Sequence, residues 1–373
     1  MRTAAGQPGT SGTARLTAYS SVATSLALRS DHQLRQLLEP GTPLGTGIGG
    51  KSALLRVDGT PVFVKRVPLT DVERLPEHQR STADLFGLPA FCQYGIGSPG
   101  FGAWRELAAH TMTTNWVLAG QYGGFPLLYH WRVLPDTPPA LADELADVES
   151  AVAYWGGGPG IRRRIEGLRR SSASIALFME YIPRTLHDWL TEQVQADDAA
   201  ADRACALVER ELKAGTSFMN ARGLLHFDAH FQNILTDGRR LYFADFGLAL
   251  SSRFDLSPSE TGFFEQHRTY DRCYTVTHLV LWLITALYGH GRSEREALVR
   301  ACAEGAGPPA GPLGVRAVIA RHAPLAAVLT DFHGRLRDES RETPYPSGAL
   351  ARACRETGDG IRTAWPGGTS RPG

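Results

Sequence analysis

Leu225–Leu235, LHFDAHFQNIL, followed by the triplet Asp245-Phe246-Gly247, decides how this chain is read. Leu224-Leu225 and Ile234-Leu235 are apolar runs on either side of a polar turn, and Leu241–Ala244 is a third run that ends on Asp245. Apolar pairs bounded by turn residues read as short strands joined by a tight loop. The Asp228-x4-Asn233 spacing lets that loop present two polar groups to one cavity, and Asp245 arrives beside them from the neighbouring hairpin. Singly, each has an ordinary reading: an Asx-turn at Asp228, a cap at Asn233, a turn at Asp245–Gly247. All three in this order, flanked by apolar strand residues, point to a site.

Phosphoryl transfer asks little covalent chemistry of a protein. It needs an acceptor hydroxyl held in line, a place for its proton, and metal bridging the phosphates. Asp228 can take the proton, while Asn233 and Asp245 offer oxygen ligands suited to hard Mg²⁺. With His226 and His230, the segment resembles the catalytic loop and DFG triplet of the protein-kinase-like superfamily. The resemblance extends over about residues 44–290. It implies an α+β, bilobal fold with a small β-rich N-lobe and a larger helical C-lobe, and ATP and Mg²⁺ as cofactors. It further implies Asp228 as catalytic base, Asn233 and Asp245 as metal ligands, and His226 as a residue that structures the loop. Phe227 stands where many relatives carry an Arg that engages a phosphorylated activation loop, so regulation of that kind is not expected. His230, where protein kinases commonly carry Lys near the transferred phosphate, is similar instead to the aminoglycoside and choline phosphotransferase branch. No APE motif follows the DFG, so Leu248–Arg268 is an unconventional docking segment.

Gly45-Thr46-Gly47-Ile48-Gly49-Gly50-Lys51-Ser52 fits two patterns. As G-x-x-x-x-G-K-S it matches a phosphate loop in which Lys51 reaches the β/γ-phosphates. As G-x-G-x-x-G, with Gly45, Gly47 and Gly50, it resembles the kinase loop that covers the nucleotide. A phosphate loop needs a strand before it and a helix after it. Here a Pro/Gly stretch precedes, and Ser52–Val67 follows as a hairpin turning at Asp58-Gly59, so the kinase-type reading is preferred. Only three of the 39 basic residues are lysines, Lys51, Lys65 and Lys213, so a retained Lys suggests a need for its amine. Lys65, on the second strand of the hairpin, is the expected ligand of the α/β-phosphates. Glu106, at the start of a helix over Trp104–Leu118, is its expected partner, ahead of Glu73 and Glu77. Glu180 and Tyr181, closing the apolar strand Ile175–Tyr181, resemble the hinge whose backbone pairs with adenine.

The organisation follows. Residues 1–30, rich in Ala, Gly, Ser and Thr, are expected to be disordered. Residues 31–182 form the N-lobe, with the nucleotide-binding loop and a Gly- and Arg-rich insertion at 136–170 read as a loop or helix pair. Residues 183–356 form the helical C-lobe with the catalytic loop and DFG, and 357–373 a disordered tail. The Arg162–Arg164 run reads as a solvated face. Helices are expected at Leu186–Ala196, Ala199–Arg222, Tyr270–Tyr288, Ser293–Glu304 and Val315–Arg337.

A net charge of +1 suggests no nucleic-acid partner. Five scattered cysteines without paired spacing fit a reducing cytoplasm. No signal peptide or membrane span is read, so a cytoplasmic protein without a membrane partner is expected. The expected reaction is transfer of the ATP γ-phosphate to a hydroxyl, foremost a Ser or Thr of a protein or peptide. A small-molecule kinase of the aminoglycoside or choline phosphotransferase type, and a nucleotide-binding pseudokinase, are the alternatives.

Overall fold

Asp58 and Gly59 both take positive φ, 49° and 81°. This turn geometry matches the right-handed twist of the strands it joins. Those strands are β2 (Gly50–Val57) and β3 (Thr60–Leu69), in register from Lys51↔Arg66 to Val57↔Thr60. They belong to a five-stranded antiparallel sheet with β1 (Thr42–Gly47), β4 (Leu128–Pro135) and β5 (Ala173–Glu180), in the order β1-β2-β3-β5-β4. Every residue of β5 is buried, as an apolar strand covered on both faces requires.

The computed structural model describes residues 12–47, 49–95 and 97–356 of this mixed α+β chain. It divides into two units. One comprises the chain up to Leu186 together with His226–Gly262; the other comprises His187–Leu225 and the chain from Phe263. The loop and triplet that sequence places with the helical part thus group with the sheet.

The sheet-bearing unit contains α1 (Gly12–Ala27), α2 (Asp31–Leu38), α3 (Asp71–Arg74), α4 (Ala103–Leu118), α5 (Asp143–Ala146), α6 (Val148–Tyr154) and α7 (Pro159–Arg170). It also holds β6 (Arg184–Thr185), β8 (Ile234–Thr236) and β9 (Leu241–Phe243), which form a small antiparallel sheet. Trp104 and Leu107 of α4 pack on Val67, Leu69, Ile175, Leu177 and Met179 of the large sheet, which fixes the helix over β3. The second unit is helical: α8 (Leu186–Ala196), α9 (Asp198–Ala221), α11 (Tyr270–Tyr288), α12 (Arg292–Ala303), α13 (Leu313–Asp338) and α14 (Ser347–Glu356), with β7 (Leu224–Leu225). α13 is long and apolar enough to cross a membrane. In this unit it packs against α9, α11 and α12, burying Val315, Ile319, Ala326 and Leu329.

Three expectations are corrected. Residues 12–27, expected to be disordered, form α1, with Arg15, Val22 and Leu26 buried on one face. Residues 1–11 and the tail from 357 lie outside the described residues. The insertion, expected to be polar, carries three helices and its own core. There Leu145, Val152, Trp155, Ile161, Ile165 and Leu168 close on Phe86, Leu88, Cys92 and Phe101. Nor is the Arg162–Arg164 run uniformly solvated: Arg162 pairs with Glu149 at the surface, but Arg164 is buried. Composition hid this because the apolar residues of α7 recur at helical spacing inside a basic stretch.

If the insertion is a packed body, Ile165→Ala should destabilise the protein by about 2–5 kcal/mol, the usual cost of emptying a buried aliphatic site. Chemical denaturation should show a lowered midpoint, and an unchanged one would mean that the insertion does not pack as described.

Candidate active site

Lys65 lies in the middle of β3, opposite Leu177 of β5, and only 8% of its side chain is exposed. A buried ammonium must be paired. Its Nζ sits 2.8 Å from Glu106 Oε1 and donates to Asp245 Oδ1 at 2.7 Å. Burial, the largest influence on Lys65, opposes its charge, but Asp245 and Glu106 together outweigh it and hold the ammonium above its ordinary value. Asp245 also feels burial, yet Lys65 and the N–H of Gly247 bring it down to about 2, so it is an anion throughout the physiological range. Glu106, 2% exposed, behaves oppositely. Burial raises it to about 7 against the pull of Lys65, with Asp245 adding to the rise.

The loop is built around His226. Its Nε2 bonds the carbonyl of Ala244 at 2.9 Å, and the N–H of Asp228 donates to its Nδ1 at 3.3 Å. These roles put the proton on Nε2. Burial lowers His226 to about 4, which keeps the ring neutral. One side chain therefore ties the loop to the strand end from which Asp245 projects. Phe227 and Asp245 have φ of 62° and 58°, conformations that non-glycine residues adopt only when their surroundings enforce them, and which cluster at functional sites. Asn233 Nδ2 donates to both the carbonyl and Oδ2 of Asp228, at 3.0 Å each. His230 Nε2 lies 3.8 Å from Asp228 Oδ1, while its Nδ1 accepts from the N–H of Gln232 at 3.2 Å. Burial, then the charge of Asp245, raises Asp228 to about 7.

Asp228, His230, Asn233, Glu106, Asp245 and Gly49 line one cavity of about 590 Å³. Of the predicted glycines, Gly45, Gly47 and Gly50 are placed in the β1–β2 ladder, and the turn residue Gly49 approaches the site instead. A Cβ on Gly49 would stand 2.8 Å from Lys65 Nζ, the end of a long side chain, whereas one on Gly50, at φ 115°, would run into the backbone carbonyl of Arg66, so glycine is required at Gly50. Ile48 lies outside the described residues. Lys51 lies in strand β2, not before a helix, and pairs across to Arg66. This is not the setting of a phosphate-loop lysine.

Glu180 and Tyr181 are not among the cavity residues. The Glu180 carboxylate takes two bonds from Arg15 (2.8 and 2.6 Å) and one from the N–H of Leu127, and its own N–H donates to the carbonyl of Leu127. Tyr181 follows, half-buried.

Arg15 escaped the sequence reading, Glu73 was weighed only as a lesser partner for Lys65, and Arg164 was read as solvated. Arg15 stands in a stretch whose composition suggested disorder, although its spacing to Val22 and Leu26 is helical. Glu73 caps α4: its Oε1 accepts the N–H of Ala103 at 2.7 Å, beside the N-cap Gly102, which as a glycine has no side chain to cap with. Arg164 bonds Glu73 Oε2 at 2.8 Å and reaches the carbonyls of Pro99 and Gly100. Gly97–Gly100 and Gly102, with Ala142–Glu144, line the same cavity as Asp228.

Among the described residues no cluster of three or more His, Cys, Asp or Glu side chains forms a ready-made metal site. Asp245, with 41% of its side chain open, and Asn233 share the cavity as hard oxygen donors. Such a pair suits Mg²⁺, which usually completes its shell with water and substrate phosphates. No protein-family model matches this sequence, and comparison with the curated proteins finds no relative.

Asp228 gives a test. Between the ordinary aspartate value near ~4 and about 7, the folded protein keeps a proton that the unfolded chain has released. Its contribution to stability is therefore present at low pH and lost as pH rises through 7. Asp228→Asn should raise the melting temperature of the metal-free protein by several degrees at pH 8 and by much less at pH 5. Equal shifts in calorimetry at both pH values would mean that the carboxyl titrates normally.

Proposed function

We propose that this protein is an ATP- and Mg²⁺-dependent phosphotransferase with a bilobal, protein-kinase-like fold. It transfers the γ-phosphoryl group to a hydroxyl, foremost a Ser or Thr side chain of a protein or peptide. The observation that carries this reading is a buried lysine held between two carboxylates, both of which share a cavity with an Asp–Asn pair.

In this reading Lys65, kept charged by Asp245 and Glu106, binds the α/β-phosphates and stays put because both of its anchors are fixed to framework elements. Asp245 and Asn233 would hold Mg²⁺, which when bound neutralises phosphate charge. Asp228 takes the proton of the acceptor hydroxyl, and a carboxyl titrating at about 7 is well matched to that task near neutral pH. His230 Nε2–H, 3.8 Å from Asp228 Oδ1, would donate to an oxygen of the transferred group. Neutral His226 holds the backbone of the loop in register.

A small hydroxyl compound as acceptor is a second reading. It is favoured by a cavity of about 590 Å³, lined by Gly97–Gly100 and Ala142–Glu144 as well as by Asp228, which has room for a small compound.

Asp228→Asn should reduce phosphoryl transfer by at least about 10²-fold, as expected for loss of a general base, with nucleotide affinity within twofold or so of wild type. Label from γ-labelled ATP in a host lysate, partitioned between protein and small molecules, then separates the two acceptor classes. Full activity in the variant would defeat the assignment of Asp228. Lys65→Ala should cost about 10²–10³-fold in kcat/KM, the scale of losing one preorganised electrostatic contact. Lys51→Ala should leave kcat/KM nearly unchanged, and the reverse ranking would restore the phosphate-loop reading.

A further inference from the structure

The segment after Asp245-Phe246-Gly247 begins at the cavity, where Gly247 and Leu248 form part of the wall. Its far end is fastened to the helix that carries Glu106. Arg105, the residue before Glu106 on α4, is 2% exposed, and its Nη2 bonds Glu260 Oε1 at 2.7 Å. Its Nε donates to the carbonyl of Thr82 at 2.7 Å. The guanidinium lies between two aromatic rings, 5.1 Å from the centroid of Phe101 and 5.7 Å from that of Phe254. Phe254 belongs to the same segment, and the next residue, Asp255, donates its N–H to Thr82 Oγ1 at 2.9 Å.

Glu260 is committed on both oxygens. Oε1 takes Arg105, and Oε2 takes the N–H and hydroxyl of Ser257, closing the first turn of α10 (Pro258–Gln266). A buried pair whose removal leaves one charge uncompensated is a strong positional constraint even where it adds little net stability. Here the constraint joins α4 to residues 254–260 through ion pair, aromatic faces and backbone together.

We propose that Arg105 and Glu260 are positioning residues that lock the Gly247–Gly262 segment onto α4, so that the site is assembled in the unmodified chain. Glu260 supplies from within the sequence the negative charge that holds the segment, and no added phosphate is required. The Lys65–Glu106 pair and the Gly247–Leu248 wall are then fixed from one helix, because Arg105 and Glu106 are neighbours on it. This inference rests on the phosphotransferase reading for its effect on activity, but not for its effect on structure.

Hydrogen exchange of the full chain tests the structural part directly. Amides of residues 248–262 should exchange at least about tenfold faster in Glu260→Gln, with β3–β5 protection unchanged, the pattern of a local and not a global opening. Thr82→Val, a milder change that removes only the Asp255 bond, should accelerate exchange less and covers the case in which Glu260→Gln does not fold. Wild-type protein shown by intact mass to carry no phosphate should retain its full kcat, and Glu260→Gln should lower kcat about tenfold or more with little change in the KM for ATP. Unchanged exchange in both variants, or loss of wild-type kcat on phosphatase treatment, overturns the proposal. Wild-type protein that transfers no phosphate under any condition defeats the phosphotransferase reading, while the exchange comparison still decides whether the segment is locked.

Discussion

One ammonium facing two carboxylates is the constraint on which the sheet-bearing unit turns. Lys65 is too buried to stand alone, and water cannot replace either of its partners. Glu106 must therefore come from a helix seated on the sheet, and Asp245 from a strand end beside it. The packing of Trp104 and Leu107 on the sheet, the cap that Glu73 gives to α4 and the tie from His226 to Ala244 all hold this cluster. The two carboxylates divide the cation unequally. Asp245 is an anion at any relevant pH, whereas Glu106 is poised near neutrality. A ligand that draws Asp245 away would leave Glu106 as the sole partner and favour its ionisation, since the repulsion from Asp245 that helps raise it would weaken.

The chain keeps Asp228 at a cost. A carboxyl raised to about 7 by burial is worse for folding above neutral pH than its amide analogue would be. Positive φ at Phe227 and Asp245 adds backbone strain at the two points where the loop and triplet turn. Such departures from local preference persist only where the surroundings over-determine them, and they cluster at functional sites.

Much of this was legible in sequence because it is written locally. The Asp58-Gly59 turn, the apolar run that became β5, the Lys65 strand and the start of α4 each follow from spacing and turn chemistry within a few residues. The pairing of Lys65 with Glu106 was reachable because lysine is so rare in this chain. What was not legible depends on partners far away in sequence. Arg15 meets Glu180, Arg164 meets Glu73, and Arg105 meets Glu260 across long separations. In an arginine-rich sequence nothing marks these three guanidinium groups as buried. The glycine loop shows the same limit at shorter range, since pattern favoured Gly45, Gly47 and Gly50 whereas Gly49 is the one that lines the cavity.

The helical insertion has one more implication. It walls the cavity with Ala142–Glu144, and through Arg164 it also braces the end of α4. The cavity wall and the seat of the Lys65–Glu106 pair therefore share one body with its own core. Exchanging this insertion for another would be a change of both lock and hinge at once. A point change on the wall alters the cavity alone, whereas grafting a whole insertion also disturbs the seat of Glu106.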